Sequence, residues 1–352
     1  MAIDYTIDDL LRLVAKAGAS DLVVSAGTPP RLRINGHLES VVAEPLNEDD
    51  VEQLIRDIIT PEELEDLETN RSIDFSRQFE GMARVRFNVF HQRDALSLAA
   101  RPVALNIPGF EELGLPPIIS ELALRPHGLI LTTGPAGSGK STTQAAIIDY
   151  INTNRKVHVV SIEDPIEYLH PHRSSVVDQR EVGTDARSIT EALRSVFRQT
   201  PDVIMVGEMR DLETVQLVLT LAETGHLILG TLHTQDTTHS ISRIADMFPP
   251  NQQAQIYAQL SMVLKAVISQ QLLSTIDGDR RVLAYELMMV TPALRNLIRE
   301  GELQQIYGVL QTGRTHGMRT MNESLLELCS AKLIDRELAL ERSPHPKELK
   351  NM

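Results

Sequence analysis

Residues 132–143 read TTGPAGSGKSTT, after the apolar run GLIL (128–131) and before the helix-patterned QAAIIDYIN. Few stretches constrain a fold more. Gly134 to Ser141 fits G-x-x-x-x-G-K-[ST] at every fixed position, in the strand–loop–helix setting the pattern demands. Phosphate oxygens must be met by successive backbone N–H groups, which requires glycines free to adopt unusual φ/ψ. Lys140 supplies a point charge for the β- and γ-phosphates and Ser141 a hydroxyl for Mg²⁺, while the following helix adds its N-terminal partial charge. Pro135, Ala136, Gly137, Ser138 and Gly139 complete the loop, and Thr142 follows in the first helical turn. A glycine-rich turn with a stray lysine would lack this context. The segment predicts binding of a nucleoside triphosphate.

Such a loop belongs to a parallel sheet. The short continuous runs GLILTTG, VHVVSI, DVIMVG and HLILGTL alternate with helical segments, which fits strands buried on both faces and an α/β domain. Carboxyl ends of parallel strands converge beside the phosphate loop. DVIMVGEMRD (202–211) places Glu208 there, where a related enzyme would carry an Asp that holds Mg²⁺ through water. SIEDPIEY (161–168) adds Glu163, Asp164 and Glu167. One carboxylate can serve the metal shell, with Ser141, while another orients or deprotonates the attacking water. Asp164 with Pro165 reads as a turn, Glu163 as a helix cap or a site member, and Glu167 and Glu208 as site carboxylates. His226 and His233 bracket the run LILGTL; they are either satisfied structural groups or a sensor of the γ-phosphate. His170 and His172 (HPH) read as a solvent loop.

Upstream, residues 5–18 carry apolar residues at helical spacing with Thr6 as N-cap. Alternation and turn signals, including Asn35–Gly36, predict a hairpin, and 47–70 predict two acidic helices split at Pro61. Residues 72–103 read as a meander of strands. Residues 1–105 thus form a small α+β domain, the Pro/Gly-rich 106–118 a linker, and 119–352 the α/β domain, helical from about residue 252 onward. ARVRFNVF sets Arg84 and Arg86 on one face of a strand, with Arg101 following in ARPV. They either pair with acidic helices or reach a bound γ-phosphate across a boundary; the sequence does not choose.

Composition removes other classes. A net charge of −14 argues against a nucleic-acid footprint, which needs a basic face. The single cysteine, Cys329, excludes an internal disulfide and a cysteine-based zinc site. No apolar run approaches the roughly 18 residues of a membrane span, and the acidic N-terminus is unlike a signal peptide, so a cytoplasmic location is expected.

Taken in order, GPAGSGKSTT, SIEDPIEY, LRSVFRQTPDVIMVGEMRDLET and AETGHLILGTLHT resemble the PilT family of type IV pilus retraction ATPases, within the secretion ATPase superfamily. The likeness spans nearly the whole chain, from ASDLVVSAGTPPRLRINGHL to ALRNLIREG (293–301) and GMRTMNESL. It implies a PAS-like N-terminal domain, a RecA-like P-loop ATPase domain with a helical C-terminal region, and a ring of six with ATP and Mg²⁺ at subunit boundaries. Glu167 resembles the family's catalytic glutamate, Glu208 its Walker B acid, and His226 and His233 its histidine box. Arg84, Arg86 and Arg101 match arginines used toward nucleotide. The implied role is a cytoplasmic motor at the inner membrane, working on a pilus platform protein and sometimes with a paralogous retraction ATPase. The related extension and secretion motors typically carry a four-cysteine zinc motif, which one cysteine cannot build. A weakly hydrolysing regulator of a paralogous motor stays as an alternative. Ala136 stands where the family usually has Thr, and Leu294 where it usually has Ile.

Overall fold

Helix α1 (Ile7–Ala17) starts at Thr6, whose hydroxyl accepts from the Asp9 N–H while the Asp9 carboxylate accepts from the Thr6 N–H. This reciprocal cap closes two backbone donors at once. The computed structural model describes residues 5–34, 37–41, 44–79, 82–103 and 106–351. It separates into two units, Met1–Leu105 and Asn106–Met352.

In the first unit, α1 is followed by β1 (Asp21–Ser25), β2 (Arg31–Ile34) and β3 (His37–Ser40), then α2 (Glu48–Arg56) and α3 (Pro61–Asn70). The meander β4 (Ser72–Phe79), β5 (Met82–Gln92) and β6 (Ala95–Pro102) closes it. The sheet is antiparallel throughout, in the order β3-β2-β1-β6-β5-β4. Its strands bury one face: Leu22 and Val24 on β1, and Val85, Phe87 and Val89 on β5, pack with Leu10, Leu11 and Val14 of α1. Each such side chain stabilises by roughly 1.5–3 kcal/mol. The two acidic helices begin and break where Asn47 and Thr60 cap them, with Pro61 opening the second. The turn expected at Asn35–Gly36 lies outside the described residues, but Ile34 pairs with His37 across it.

The second unit holds α4 (Ile118–Ala123), β7 (Gly128–Thr133), α5 (Lys140–Asn154), β8 (His158–Glu163), β9 (Val176–Glu181) and α6 (Ile189–Val196). It continues with β10 (Val203–Val206), α7 (Leu212–Glu223), β11 (Leu227–Leu232), α8 (Thr237–Asp246), α9 (Pro250–Val263), β12 (Leu264–Ser274) and β13 (Arg281–Met289). Helices α10 (Pro292–Glu300), α11 (Ile306–Thr312), α12 (Met321–Ser330), α13 (Arg336–Arg342) and α14 (Pro346–Asn351) end it. The sheet order is β13-β12-β7-β11-β10-β8-β9, parallel except for β12 against β13. Strands β7, β10 and β11 are buried at every residue. On β7, Leu129 and Leu131 face one core with α7 and α9, while Ile130 faces the other with α4 and α5.

Two departures from the sequence reading stand out. The helices that follow residue 252 are interrupted by two strands that the spacing did not signal: β12 and β13 lie within 264–289, because β12 is slotted beside β7 and tertiary pairing outweighs local spacing. Within 106–118, Leu115 is buried and Phe110 sits 5.2 Å from the Tyr150 ring, so this segment packs on α5.

Candidate active site

The chain leaves β7 at Thr133 and turns through Gly134, Gly137 and Gly139, all at positive φ. A Cβ at Gly134 would lie 2.3 Å from the Gln270 carbonyl oxygen, so only glycine fits there. Helix α5 opens at Lys140 behind Gly139, with no side-chain cap on its first N–H groups. Those donors and the helix dipole suit an anion. The Lys140 ammonium donates to the carbonyls of Gly134 (2.8 Å) and Pro135 (2.9 Å). Burial pushes its pKa down, and the nearby carboxylates of Glu208 and Glu167 oppose that shift.

Three strand ends supply the opposite wall. At the end of β8, Glu163 is buried and accepts from Ser161 Oγ (2.6 Å), Gln179 Nε2 (3.0 Å) and the backbone N–H of Glu167. Burial pushes its carboxyl up. It caps no helix; it holds the turn that carries Glu167. Beyond β10, Gly207 runs tight against β8: a Cβ there would meet Ile162 O at 3.2 Å and Glu163 Cα at 3.3 Å. Glu208 follows two residues past the strand end, paired with Arg210 (2.7 Å) and His233 Nε2 (3.1 Å). Burial alone would raise the Glu208 pKa, but Arg210 and His233 outweigh it and hold the carboxyl below its ordinary range. At the end of β11, Thr231 Oγ donates to the Gly207 carbonyl, locking the two strand ends together.

These groups line one cleft of about 290 Å³: Ala136, Gly137, Lys140, Ser141, Glu163, Glu167, Glu208 and His233 all border it. His226 does not. It sits at the other end of β11, where its Nδ1 donates to the Leu221 carbonyl (2.9 Å) at the close of α7. Six strand residues, roughly 20 Å, separate it from His233, so it lies at the opposite end of β11 from this cleft. His170 also departs from expectation. It is buried beside the cleft, its N–H held by Gln179 Oε1 (2.8 Å), and burial lowers its pKa to about 4. Only His172 is exposed.

Several site residues escaped the sequence reading: Arg210, Gln144, whose amide donates to Thr132 Oγ (3.0 Å) and Gly230 O (3.2 Å), and Tyr168, whose hydroxyl meets Thr142 Oγ at 2.9 Å. Arg210 was within reach, two residues beyond Glu208; the others depend on how the loops and the buried face of α5 pack. The arginines belong to the first unit. Arg84 and Arg86 alternate with buried Val85 and Phe87 on β5, and Arg86 lies opposite Arg101 on β6. Arg101 pairs with Asp21 at 2.7 Å.

The donor set suits a small hard cation. Ser141 and Glu208 offer oxygens, and among the described residues no group of three or more His, Cys, Asp or Glu converges into a closed cage. Mg²⁺ sites that share phosphate oxygens take this open form.

A family model described as "Type II/IV secretion system protein" matches residues 109–316. Along 97% of its length the chain is 45% identical to the type IV pilus retraction ATPase PilT of Pseudomonas aeruginosa, covering 98% of that protein. The chain belongs to the PilT family of secretion ATPases. It is also 38% identical to the type IV pilus ATPase PilU of Pseudomonas aeruginosa, covering 98% of the chain and 90% of PilU. A crystal structure of the pilus retraction motor PilT with bound ADP matches at a TM-score of 0.94 and 47% identity, over 99% of this chain and all of that one. The second unit is therefore the RecA-like P-loop ATPase fold of this family, and the chain is an ATPase.

Proposed function

We propose that the chain is the ATP-hydrolysing motor of type IV pilus retraction and thus of twitching motility. The observation that carries this is the joint presence of a complete cleft and a near full-length likeness to PilT. Lys140 and the first N–H groups of α5 bind the β- and γ-phosphates and orient them. Ser141 and Glu208 would hold Mg²⁺, which would neutralise phosphate charge there. Glu167, exposed at the cleft mouth on a turn fixed by Glu163, takes the proton of the attacking water. His233 senses the γ-phosphate through its contact with Glu208.

The working form is a homohexamer at the cytoplasmic face of the inner membrane, acting on a platform protein of the pilus machinery. Residues 1–105 serve as a PAS-like domain, joined through 106–118 to the ATPase domain. From it Arg84, Arg86 and Arg101 approach a nucleotide held by a neighbouring subunit. The likeness to PilU keeps a second reading, a partner of a paralogous retraction ATPase with little turnover of its own. Intact Lys140, Glu167 and Glu208 favour a motor.

Cells carrying Lys140→Ala test this. Excess surface pili with no surface motility are expected. Bald cells would assign the chain to extension, and an unchanged count would favour the accessory reading.

A further inference from the structure

A buried carboxylate on β13 takes no part in the cleft. Glu286 is 2% exposed and anchors two helices at once. One of its oxygens accepts from the N–H (3.0 Å) and the hydroxyl (2.7 Å) of Thr237, the first residue of α8. Its other oxygen accepts from the N–H of Met321 (3.4 Å), the first residue of α12. A desolvated carboxylate is costly unless such donors meet it, and here all three donors lie at helix N-termini, whose partial charge favours an anion.

The segment that ends at Thr237 begins at His233. Only Thr234, Gln235 and Asp236 lie between, and each is fastened. Thr234 Oγ meets Ser240 Oγ at 2.6 Å, Ser269 Oγ donates to the Gln235 carbonyl (2.8 Å), and Asp236 caps α8 through the His239 N–H (2.7 Å). A strap of five residues thus runs from the Glu208 partner in the cleft to Glu286, and from Glu286 to α12. A short strap tied at every residue passes displacement along rather than absorbing it.

We propose that Glu286 is a positioning residue for ATP turnover. By holding Thr237 it sets the reach of His233 toward Glu208, and by sharing its carboxylate with Met321 it couples the state of the cleft to the first turn of α12. This rests on the reading of His233 as a cleft group.

The test is a double-mutant cycle on the full chain, measured as phosphate release. Thr237→Val removes one donor to Glu286 and keeps the side-chain shape. It should lower kcat by about 3- to 10-fold with KM little changed, and should have almost no further effect in a His233→Ala background. Glu286→Gln, which keeps the volume, should behave likewise. The same factor in both backgrounds, or an unchanged kcat in a folded Thr237→Val chain, would overturn the inference. Hydrogen exchange gives a readout independent of turnover: Mg-ADP should slow exchange at the Met321 amide in the wild type and not in Thr237→Val. Equal protection in both would also overturn it. A wild-type chain that binds ADP but releases no phosphate would sink the motor reading alone, and the exchange result would still decide the coupling.

Discussion

The two sheets of this chain put their charged residues in different places. In the first unit an antiparallel sheet has one face to the core and one outward, so polar groups run along whole strands: Arg84 and Arg86 on β5, Arg101 on β6, Asp21 on β1. In the second, β7, β10 and β11 are buried on both faces and leave polar groups only at their ends. A strand that is apolar throughout and then turns polar announces where chemistry can sit. A strand that alternates gives no such notice, because a pairing arginine and a catalytic one occupy equivalent positions.

That contrast can be broken experimentally. Lys140→Ala removes the one cation of the phosphate loop, and steady-state phosphate release should fall by about 10³-fold or more with the fold retained. The buried His170 should then separate the two units by pH. Its folded pKa, about 4, lies below the ordinary 6.5, so the unfolded chain takes up the proton first. Its contribution is complete above pH 6.5 and lost as pH falls toward 4, worth about 3 kcal/mol. Unfolding followed across that window should show the parallel-sheet unit weakening first, and His170→Asn should flatten the slope.

Arg101→Ala asks whether an outward arginine is more than a partner of Asp21. Its exposed ion pair should be worth less than about 1 kcal/mol, while turnover should fall about 10³-fold if it serves a neighbour's nucleotide. Mixing Arg101→Ala with Lys140→Ala chains should restore part of the activity, since each supplies what the other lacks; no recovery would return Arg101 to a structural role. The smallest effect belongs to Arg210→Ala. Glu208 loses a partner that holds its pKa down, so the acid limb of the pH–rate profile should move to higher pH. The loss should stay under about tenfold and be confined to the acid side.

Legibility followed the same division. The loop at 134–141, Glu167, Glu208 and His233 could be read from strand ends, and all four border the cleft. Gln144, Tyr168 and His170 could not, since their places depend on how loops and the buried side of α5 pack. His226 lies away from the cleft because only the carboxyl end of β11 faces the phosphate loop, while both ends of an apolar run look alike in sequence. Strand β12 hid for a related reason: LKAVISQQLLS carries helix-like spacing directly after α9, and only pairing with β7 makes it a strand.

The missing methyl at Gly207 has one more effect. With its N–H bonded to Ile162 O (2.8 Å) and the Glu163 backbone in near contact, the rim of the sheet there behaves as one beam rather than two slats. Whatever pulls on Glu208 must also carry the turn that presents Glu167. The two acids then keep their spacing under load, and a displacement of either one arrives at the other undiminished.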